Sequence, residues 1–299
     1  RRAKFSGRRT KKGSIVGFQE RSSNKIISLE GCQILDRSIL AFVGAMKKIV
    51  LLTCTRGSRL TFHVTKSETG LDVYLEGARK LNIDIKSQLV DIARAFKVSR
   101  LICDGELLVL FDKPYQIMGE VKVEPPYLFF IQATKIAETA MITSIVESLM
   151  DQREIADLFS GCGAFSLAVA KEKKVTAYDN SAIMLQALEK ASKNNYRLKS
   201  VKTITRNLLK TPLTVTELIQ FDGVIVNPPL GGAYEQFKEL AKSDVRRIVY
   251  ISCNAETFAR DSEILVLGGY KLDWVRIIDQ FKWSRHIEIM SRFSKIYSS

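Results

Sequence analysis

The chain has 299 residues, and its 46% hydrophobic and 26% charged content is that of a globular protein of about two domains. No apolar run approaches the roughly 18 residues of a membrane span, and no apolar stretch follows the basic start as a secretory signal would require. The composition therefore predicts a cytoplasmic protein without membrane contact. The net charge of +14 favours nucleic acid as a partner, because a field of that sign attracts polyanions.

Five cysteines are scattered along the chain and none forms a CxxC pair. An odd, scattered set in a chain without a secretory signal argues against a disulfide framework, and the missing pair argues against a self-contained zinc site. The chain begins with Arg1 rather than Met, inside a basic strand-like pattern in which residues 1–12 carry seven cations and no acid. We expect an upstream segment to precede it.

Residues 1–125 mix short strands with two helices. Asp36 is placed to cap a helix over 38–49. Alternating apolar residues predict two neighbouring strands, 59–66 and 71–77. Further strands are predicted over 14–20, 25–29, 101–105 and 106–111, and a further helix over 87–96. The Pro125-Pro126 pair breaks this pattern, so the sequence predicts a smaller α+β domain that ends near residue 125.

From residue 126 onward, helices alternate with continuous apolar strands. The strands are predicted over 155–159, 175–179, 201–206, 221–227, 246–252, 272–279 and 286–293, and the helices over 134–149, 181–195, 232–242 and 255–266. Apolar strands that alternate with helices indicate an α/β domain with a parallel sheet covered on both faces. The last two strands have no helix between them, so one of them should pair antiparallel.

The first strand of this second domain ends in a glycine-rich turn at 157–163. Gly161 and Gly163 let the backbone turn sharply and approach a ligand. Asp179 ends the next strand, where a carboxylate accepts hydrogen bonds from ribose hydroxyls. The pattern favours a nucleoside cofactor, although a tight turn beside a surface acid would look the same. It does not choose the cofactor, but an NAD fingerprint would need a third glycine where Ser166 stands.

Two more strands end in polar residues at the same edge of the sheet. Asn227 precedes two prolines, which end a strand and leave the amide where ligands bind; a simple turn would need no amide there. Cys253 follows the strand 246–252. A cysteine in that place is often a small buried hydrophobe, but the helix that follows should lower its thiol pKa. His286 and Glu288 face one side of the last strand, either as a solvated pair or as part of the site.

In this order the motifs resemble those of the RNA (uracil-5-)-methyltransferase family, whose members modify tRNA or 23S ribosomal RNA. The resemblance covers nearly the whole chain. It rests on Asp-Leu-Phe-x-Gly-x-Gly, Asn-Pro-Pro, Ser252-Cys253-Asn254, Asp279-Gln280-Phe281 and His286-Ile287-Glu288. It implies a Rossmann-like class I methyltransferase domain over 126–299, which uses S-adenosylmethionine, after a central α+β RNA-binding domain over 1–125.

The resemblance also implies roles for individual residues. Cys253 would be the nucleophile that adds to carbon 6 of a uridine, and Glu288 the base that removes the proton from carbon 5. The cofactor-binding residues it implies are Gln132, Phe159, Gly161, Gly163, Asp179, Asn207 and Asn227. The family often holds a four-iron, four-sulfur cluster on four cysteines; Cys32 matches the fourth, and we expect the others upstream. The expected partner is 23S rRNA or tRNA, and the expected state is a monomer.

Some positions depart from the family's pattern. Asn227 and Leu230 replace the Asp and Arg of Asp-Pro-Pro-Arg, Asn207 replaces an Asp, Asp179 a Glu, and Ala255 a Pro. One alternative is therefore an amino-group methyltransferase that grips an exocyclic amine with Asn-Pro-Pro, although an aromatic residue usually stands where Leu230 does. Another is an RNA-binding protein on a methyltransferase scaffold that has lost its activity. An NAD-dependent oxidoreductase would leave Asn-Pro-Pro and Ser-Cys-Asn unexplained.

Overall fold

The computed structural model describes residues 1–20, 23–284 and 286–297. They form two compact units, Arg1–Gln116 and Ile117–Ser299. The separate roles assigned from the sequence to residues 1–125 and 126–299 stay predictions. Across the described ranges, no helix is both long enough and apolar enough to cross a membrane.

The first unit is a seven-stranded sheet with two helices. Its strands are β1 (Arg2–Thr10), β2 (Gly13–Gln19), β3 (Ile26–Ser28), β4 (Arg59–Lys66), β5 (Leu71–Glu76), β6 (Val98–Cys103) and β7 (Glu106–Leu110), and its helices are α1 (Arg37–Thr53) and α2 (Ile83–Ala95). The strand order is β3-β2-β1-β4-β5-β6-β7, with β5 and β6 parallel and the other neighbours antiparallel. Both helices pack their buried side chains into one core with this sheet.

Local capping explains where the two helices begin. The Asp36 carboxylate accepts a hydrogen bond from the Ser38 N–H at 2.9 Å and caps α1, as the sequence predicted. Helix α2 begins earlier than expected because the Asn82 side chain accepts from the Ile85 N–H at 2.9 Å. Ile83 in the first turn is 79% exposed, and the buried residues of α2 begin only at Ile85.

The second unit contains the parallel sheet that the sequence predicted. Its strands are β8 (Gln116–Met118), β9 (Val121–Val123), β10 (Glu154–Leu158), β11 (Lys174–Asp179), β12 (Val201–Thr205), β13 (Gly223–Val226), β14 (Arg247–Ser252), β15 (Tyr270–Ile278) and β16 (Glu288–Lys295). Its helices are α3 (Lys135–Ser148), α4 (Ala164–Val169), α5 (Ala182–Lys193), α6 (Val215–Leu218), α7 (Tyr234–Lys242) and α8 (Ala255–Leu267). Strands β8 and β9 form a small sheet of their own, and the large sheet has the order β12-β11-β10-β13-β14-β16-β15.

The large sheet is parallel from β12 to β14, whereas β16 runs antiparallel to both β14 and β15. This confirms that one of the last two strands pairs antiparallel. Successive residues of the central strands enter different cores: Leu158 and Tyr250 pack on one face, and Ile155 and Ile251 on the other. Because both faces are covered, the carboxyl ends of the strands are where polar residues can meet a ligand.

Candidate functional site

A cavity of about 530 Å³ opens at the carboxyl ends of the parallel strands, a size typical of small-molecule sites. It lies beside β10 and β13, where the strand order reverses, and ligands bind at this position in open α/β sheets. The predicted residues that line it are Gln132, Phe159, Gly161, Asp179, Asn207, Asn227, Cys253 and Glu288. One cavity therefore brings together the predicted nucleophile, the predicted base and most of the predicted cofactor residues.

The turn after β10 is built from left-handed backbone. Phe159, Gly161 and Gly163 have φ angles of 63°, 55° and 83°, and a bulky residue such as Phe159 seldom adopts this conformation outside strained functional sites. Gly163 is not part of the described wall of the cavity. A Cβ at Gly163 would lie 2.3 Å from Leu188 Cδ1, so packing against α5 requires the glycine there.

Asp179 is held in a fixed orientation at the end of β11. Its Oδ2 accepts from the Gly161 N–H and its Oδ1 from the Ser181 N–H, each at 2.9 Å. A carboxylate has about four lone-pair positions. The two backbone bonds therefore orient the group and leave it able to accept from ligand hydroxyls.

The predicted nucleophile and base are neighbours on adjacent strands. Strands β14 and β16 are antiparallel with Ser252 paired to Ile289. Cys253 and Glu288 occupy the next opposed positions towards the crevice, and both line the cavity. Cys253 is half-buried, and Glu288 is only 6% exposed. A substrate in the cavity could thus meet the sulfur and the carboxylate together.

Burial governs the acid–base properties of this pair. Burial raises the pKa of the Cys253 thiol, and the nearby Glu288 charge raises it further. Burial also raises the pKa of Glu288, which a hydrogen bond from Gln280 partly opposes. The lowered thiol pKa expected from the following helix is therefore wrong. The Glu256 N–H in the first turn of α8 is already bonded to the Asn254 side chain at 2.9 Å, and burial and the carboxylate dominate.

A residue without a predicted role, Gln280, links the base to a predicted cofactor residue. Its Nε2 donates to Gln132 Oε1 at 2.8 Å and to Glu288 Oε1 at 3.1 Å, and its Oε1 accepts from the Ala133 N–H at 2.9 Å. Gln280 and Gln132 are both buried. They lie 148 residues apart in the chain, so no local spacing could have revealed the contact.

The loop that carries Asn227 is anchored by helix α8. The Asn254 Nδ2 donates to the Leu230 carbonyl at 3.3 Å, and the buried Asp261 Oδ2 accepts from the Ala233 N–H at 3.0 Å. These bonds fix the loop against the helix that follows Cys253. Asn227 thereby lies in the wall, and Leu230, 61% exposed, also borders the cavity.

Asn207 follows β12 and uses its side-chain oxygen inside its own loop. Its Oδ1 accepts from the N–H groups of Leu209 and Lys210, both at 3.2 Å. The amide nitrogen is therefore the polar side-chain atom that Asn207 can offer to a ligand. An Asp at this position would offer acceptors alone, so this departure from the family's pattern changes which ligand groups can be bound here.

The rest of the wall is mostly apolar and was not predicted. It includes Met118, Phe130, Cys162, Phe165, Met184, Leu208 and Leu209. These residues come from many separate segments, so their spacing carries no signal in the sequence. Cys162 is a second thiol in this wall, but burial raises its pKa to about 12, which keeps it protonated and unreactive.

Asp157, the first residue of the glycine-turn motif, is fully buried beneath the turn. Its Oδ2 accepts from the Ser166 hydroxyl at 2.5 Å. Its Oδ1 has no hydrogen-bond partner within the described part of the chain. Burial raises the pKa of this carboxyl to about 7, so its protonation changes near neutral pH.

Cys32 lies in the first unit and is half-exposed. Residues 1–20, 23–284 and 286–297 contain no group of three or more His, Cys, Asp or Glu side chains that could hold a metal ion. A four-iron, four-sulfur cluster needs four ligands. The described residues therefore do not fit that group.

The wall does fit S-adenosylmethionine. Asp179 retains acceptor capacity for ribose hydroxyls, and the apolar side chains of Phe130 and Met184 suit the faces of a purine. The buried Glu288 carboxyl provides a negative group for a cofactor that carries a sulfonium. The volume and the donor set are both compatible with a nucleoside cofactor.

Residues 122–295 match the sequence profile of the tRNA (uracil-5-)-methyltransferase family. An uncharacterized RNA methyltransferase of Agrobacterium fabrum is 36% identical over 296 residues, which cover 99% of this chain and 71% of that protein. The 23S rRNA (uracil(1939)-C(5))-methyltransferase of Shewanella frigidimarina is 28% identical over 297 residues, covering 93% of this chain and 65% of that protein.

Among solved structures, the tRNA (uracil-54, C5)-methyltransferase of Pyrococcus abyssi, in complex with S-adenosyl-L-homocysteine, matches with a TM-score of 0.74. The match covers 98% of this chain and 75% of that chain at 20% sequence identity. At this identity the likeness bears on the fold, and it confirms the α/β, Rossmann-like methyltransferase architecture expected from the sequence.

Proposed function

Since the chain belongs to the tRNA (uracil-5-)-methyltransferase family, we propose that it methylates carbon 5 of a uridine in ribosomal or transfer RNA through a covalent bond between Cys253 and carbon 6. The methyl donor is S-adenosylmethionine. The observation that carries the proposal is the adjacency of Cys253 and Glu288 in one cavity that also holds the glycine turn and Asp179. A nucleophile, a base and a nucleoside-binding acid are the groups this reaction needs.

The chemistry of the residues follows from the low reactivity of uracil. S-adenosylmethionine supplies the methyl group as an electrophilic carbon on a sulfonium. Carbon 5 of uracil is a weak nucleophile, and addition of the Cys253 thiolate to carbon 6 places an electron pair on carbon 5. Because burial and Glu288 raise the thiol pKa, Cys253 rests as a neutral thiol and must give up its proton to water before it adds.

Glu288 completes the reaction by removing the proton from carbon 5 after methylation. The electron pair of that carbon–hydrogen bond restores the ring double bond and expels the Cys253 sulfur. The raised pKa of Glu288 makes it a stronger base than an exposed carboxylate. Its place beside Cys253 on the neighbouring strand brings it close to the ring that the sulfur holds.

The cofactor contacts are assigned to the predicted residues that line the cavity. Asp179 accepts from the ribose hydroxyls, and the turn at Phe159 and Gly161 lets the ligand approach the backbone. Gln132, Asn207 and Asn227 supply amide groups. Gly163 supports the turn from behind through its packing against α5.

The RNA is held largely by charge. The net charge is +14, and Arg8, Arg9, Lys11 and Lys12 are exposed around the β1–β2 turn. Such cations bind phosphates without regard to sequence. The target uridine must leave its stack to enter the cavity.

Amino-group methylation is the second candidate, because Asn227 of the Asn-Pro-Pro motif lines the same cavity. Amino-group methylation would give the neighbouring Cys253 and Glu288 no chemical role. The two reactions differ in whether the protein becomes bonded to the RNA, and this difference can be measured.

The test uses RNA that contains 5-fluorouridine. Fluorine at carbon 5 prevents proton removal, so a methylated adduct stays bonded to the protein and survives denaturing electrophoresis. Wild-type protein with S-adenosylmethionine should form the adduct, and Cys253→Ala should not. The matched control is Cys162→Ala, which removes the unreactive thiol of the same cavity and should still form it.

An adduct formed by Cys253→Ala, or methyl transfer retained by that variant, would refute covalent catalysis through this residue. Calorimetry with S-adenosylmethionine separates an enzyme from a scaffold that has lost its activity, which would not bind the cofactor. Mass mapping of 5-methyluridine in tRNA and rRNA from cells that lack the gene would identify the substrate.

A further inference from the structure

The side-chain amide of Gln280 is fully engaged in the wall behind the cavity. Both hydrogens of its Nε2 have acceptors, Gln132 Oε1 at 2.8 Å and Glu288 Oε1 at 3.1 Å, while its Oε1 accepts from the Ala133 N–H at 2.9 Å. Gln280 is 7% exposed, so water competes little for these bonds. An amide buried with three protein partners is held in one place.

The partners also determine which way the amide points. The Ala133 N–H can only donate, so it requires the oxygen of Gln280. An ionised Glu288 carboxylate can only accept, so it requires the nitrogen. The reversed amide would lose both bonds and bury unpaired groups. Gln280 therefore presents a donor to Glu288 in one orientation.

The backbone brings Gln280 to this position. Strands β15 and β16 pair with Ile278 opposite Glu288, so Gln280 lies two residues beyond the last paired residue. The next turn is closed by the Phe281 N–H, which donates to Asp279 Oδ1 at 3.2 Å. Gln280, just beyond the end of β15, thus holds Glu288, the first residue of β16.

We propose that Gln280 is a positioning residue, which fixes the Glu288 carboxylate for proton removal and ties it to Gln132 in the cofactor-binding segment. The inference rests on the proposed function. Because Oε1 of Glu288 is held by Gln280, Oε2 is the oxygen that receives the proton from carbon 5. The same bond favours the ionised form of Glu288, because a hydrogen bond to a carboxylate lowers its pKa.

The test replaces Gln280 with methionine, which keeps the length and removes the amide donor and acceptor. In Gln280→Met the pKa of Glu288 rises further, so the acid limb of the pH profile for single-turnover release of the methylated RNA from Cys253 should move to higher pH. The rate at neutral pH should fall about tenfold to a hundredfold, as is typical when a catalytic group loses its alignment. The Cys253–RNA adduct should accumulate on unmodified RNA, because proton removal becomes slow.

The matched control is Gln236→Met. Gln236 is also buried, and its amide bonds the Leu213 N–H at 2.8 Å and the Leu213 carbonyl at 3.1 Å. Thermal denaturation should show a loss of stability in the control, but its acid limb should coincide with that of the wild type. A merely structural role for Gln280 would give the same result as the control.

An acid limb of Gln280→Met that coincides with that of the wild type would overturn the proposal. If this variant does not fold, Gln280→Asn keeps the amide but shortens its reach, and an unshifted limb in that folded variant overturns the proposal equally. Failure of the proposed function itself is recognised separately. If the proposed function is wrong, the wild-type protein forms no adduct with 5-fluorouridine RNA. If only the positioning role of Gln280 is wrong, the wild type forms the adduct and the acid limb of the variant is unshifted.

Discussion

Replacing Asp157 with asparagine should change how the stability of the second unit depends on pH. The folded protein holds the Asp157 proton up to a pKa of about 7, against an ordinary value of 3.8, chiefly because the group is buried. Between these values the folded state binds more protons than the unfolded state, so the wild type loses stability as pH rises from about 4 to about 7. An asparagine side chain does not titrate, so Asp157→Asn lacks this loss.

The size of the effect follows from the shift in pKa. A shift from 3.8 to about 7 is about 3 units, and at 1.36 kcal/mol per unit it corresponds to roughly 4 kcal/mol over the whole window. About 2.5 kcal/mol of this falls between pH 5 and pH 8. The difference in unfolding free energy, variant minus wild type, should therefore increase by that amount across this range.

Urea denaturation followed by tryptophan fluorescence measures the effect. Both tryptophans, Trp274 and Trp283, belong to the second unit, so the signal reports the unit that contains Asp157. Titrations at pH 5, 6, 7 and 8 on both proteins give the difference directly, and groups that titrate equally in the two proteins cancel. A difference that stays constant across this range would refute the assignment of a neutral carboxyl to Asp157.

Three further changes test the site. Glu288→Gln removes the charge that helps to raise the pKa of the Cys253 thiol, so the pH profile of its alkylation by iodoacetamide should move to lower pH. The same variant should accumulate the RNA adduct, because an amide cannot remove a proton. Gly163→Ala should destabilise the protein by about 1–3 kcal/mol in denaturant titrations, through the clash with Leu188 and the φ of 83°. Asp179→Asn should weaken S-adenosylmethionine binding about tenfold to a hundredfold by calorimetry, because an amide cannot accept from the two backbone N–H groups and the ribose at once.

Two controls make these results specific. The alkylation experiment is done in a background with both Cys32→Ala and Cys162→Ala, because Cys32 is half-exposed and Cys162 also lies in the cavity wall. For Asp179 the matched control is Asp222→Asn, since Asp222 also accepts from backbone N–H groups, those of Arg153 and Glu154 at 3.0 Å. Those residues lie at the opposite end of β10 from the cavity. Equal losses of cofactor affinity in both variants would assign Asp179 to structure alone.

The sequence predicted the second unit well because its central strands, β10, β13 and β14, are buried on both faces. Continuous apolar runs mark such strands, and the edge at which they end follows from their parallel direction. The glycine turn, Asn227 and Cys253 could therefore be assigned to one crevice before any contact was known. The shorter elements were missed, such as α4 with its six residues Ala164–Val169, because a helix of that length shows little periodicity.

What the sequence could not predict depends on contacts between distant residues. The bond from Gln280 to Gln132 joins two ends of the second unit. The expected fall in the Cys253 pKa was inferred from the adjacent helix alone. The structure adds the opposing effects, which are burial and a carboxylate on the neighbouring strand. Local sequence thus identifies the chemical groups at the site, whereas tertiary packing sets their protonation.

The pKa of the Cys253 thiol depends on the charge of Glu288. Burial disfavours the Cys253 thiolate, and the charge of an ionised Glu288 disfavours it further, so the free protein keeps its nucleophile protonated and protected from oxidation. Once the sulfur is bonded to carbon 6 it carries no charge, and an ionised Glu288 no longer opposes it. The electrostatic cost that Glu288 places on the free thiolate is therefore relieved when the adduct forms.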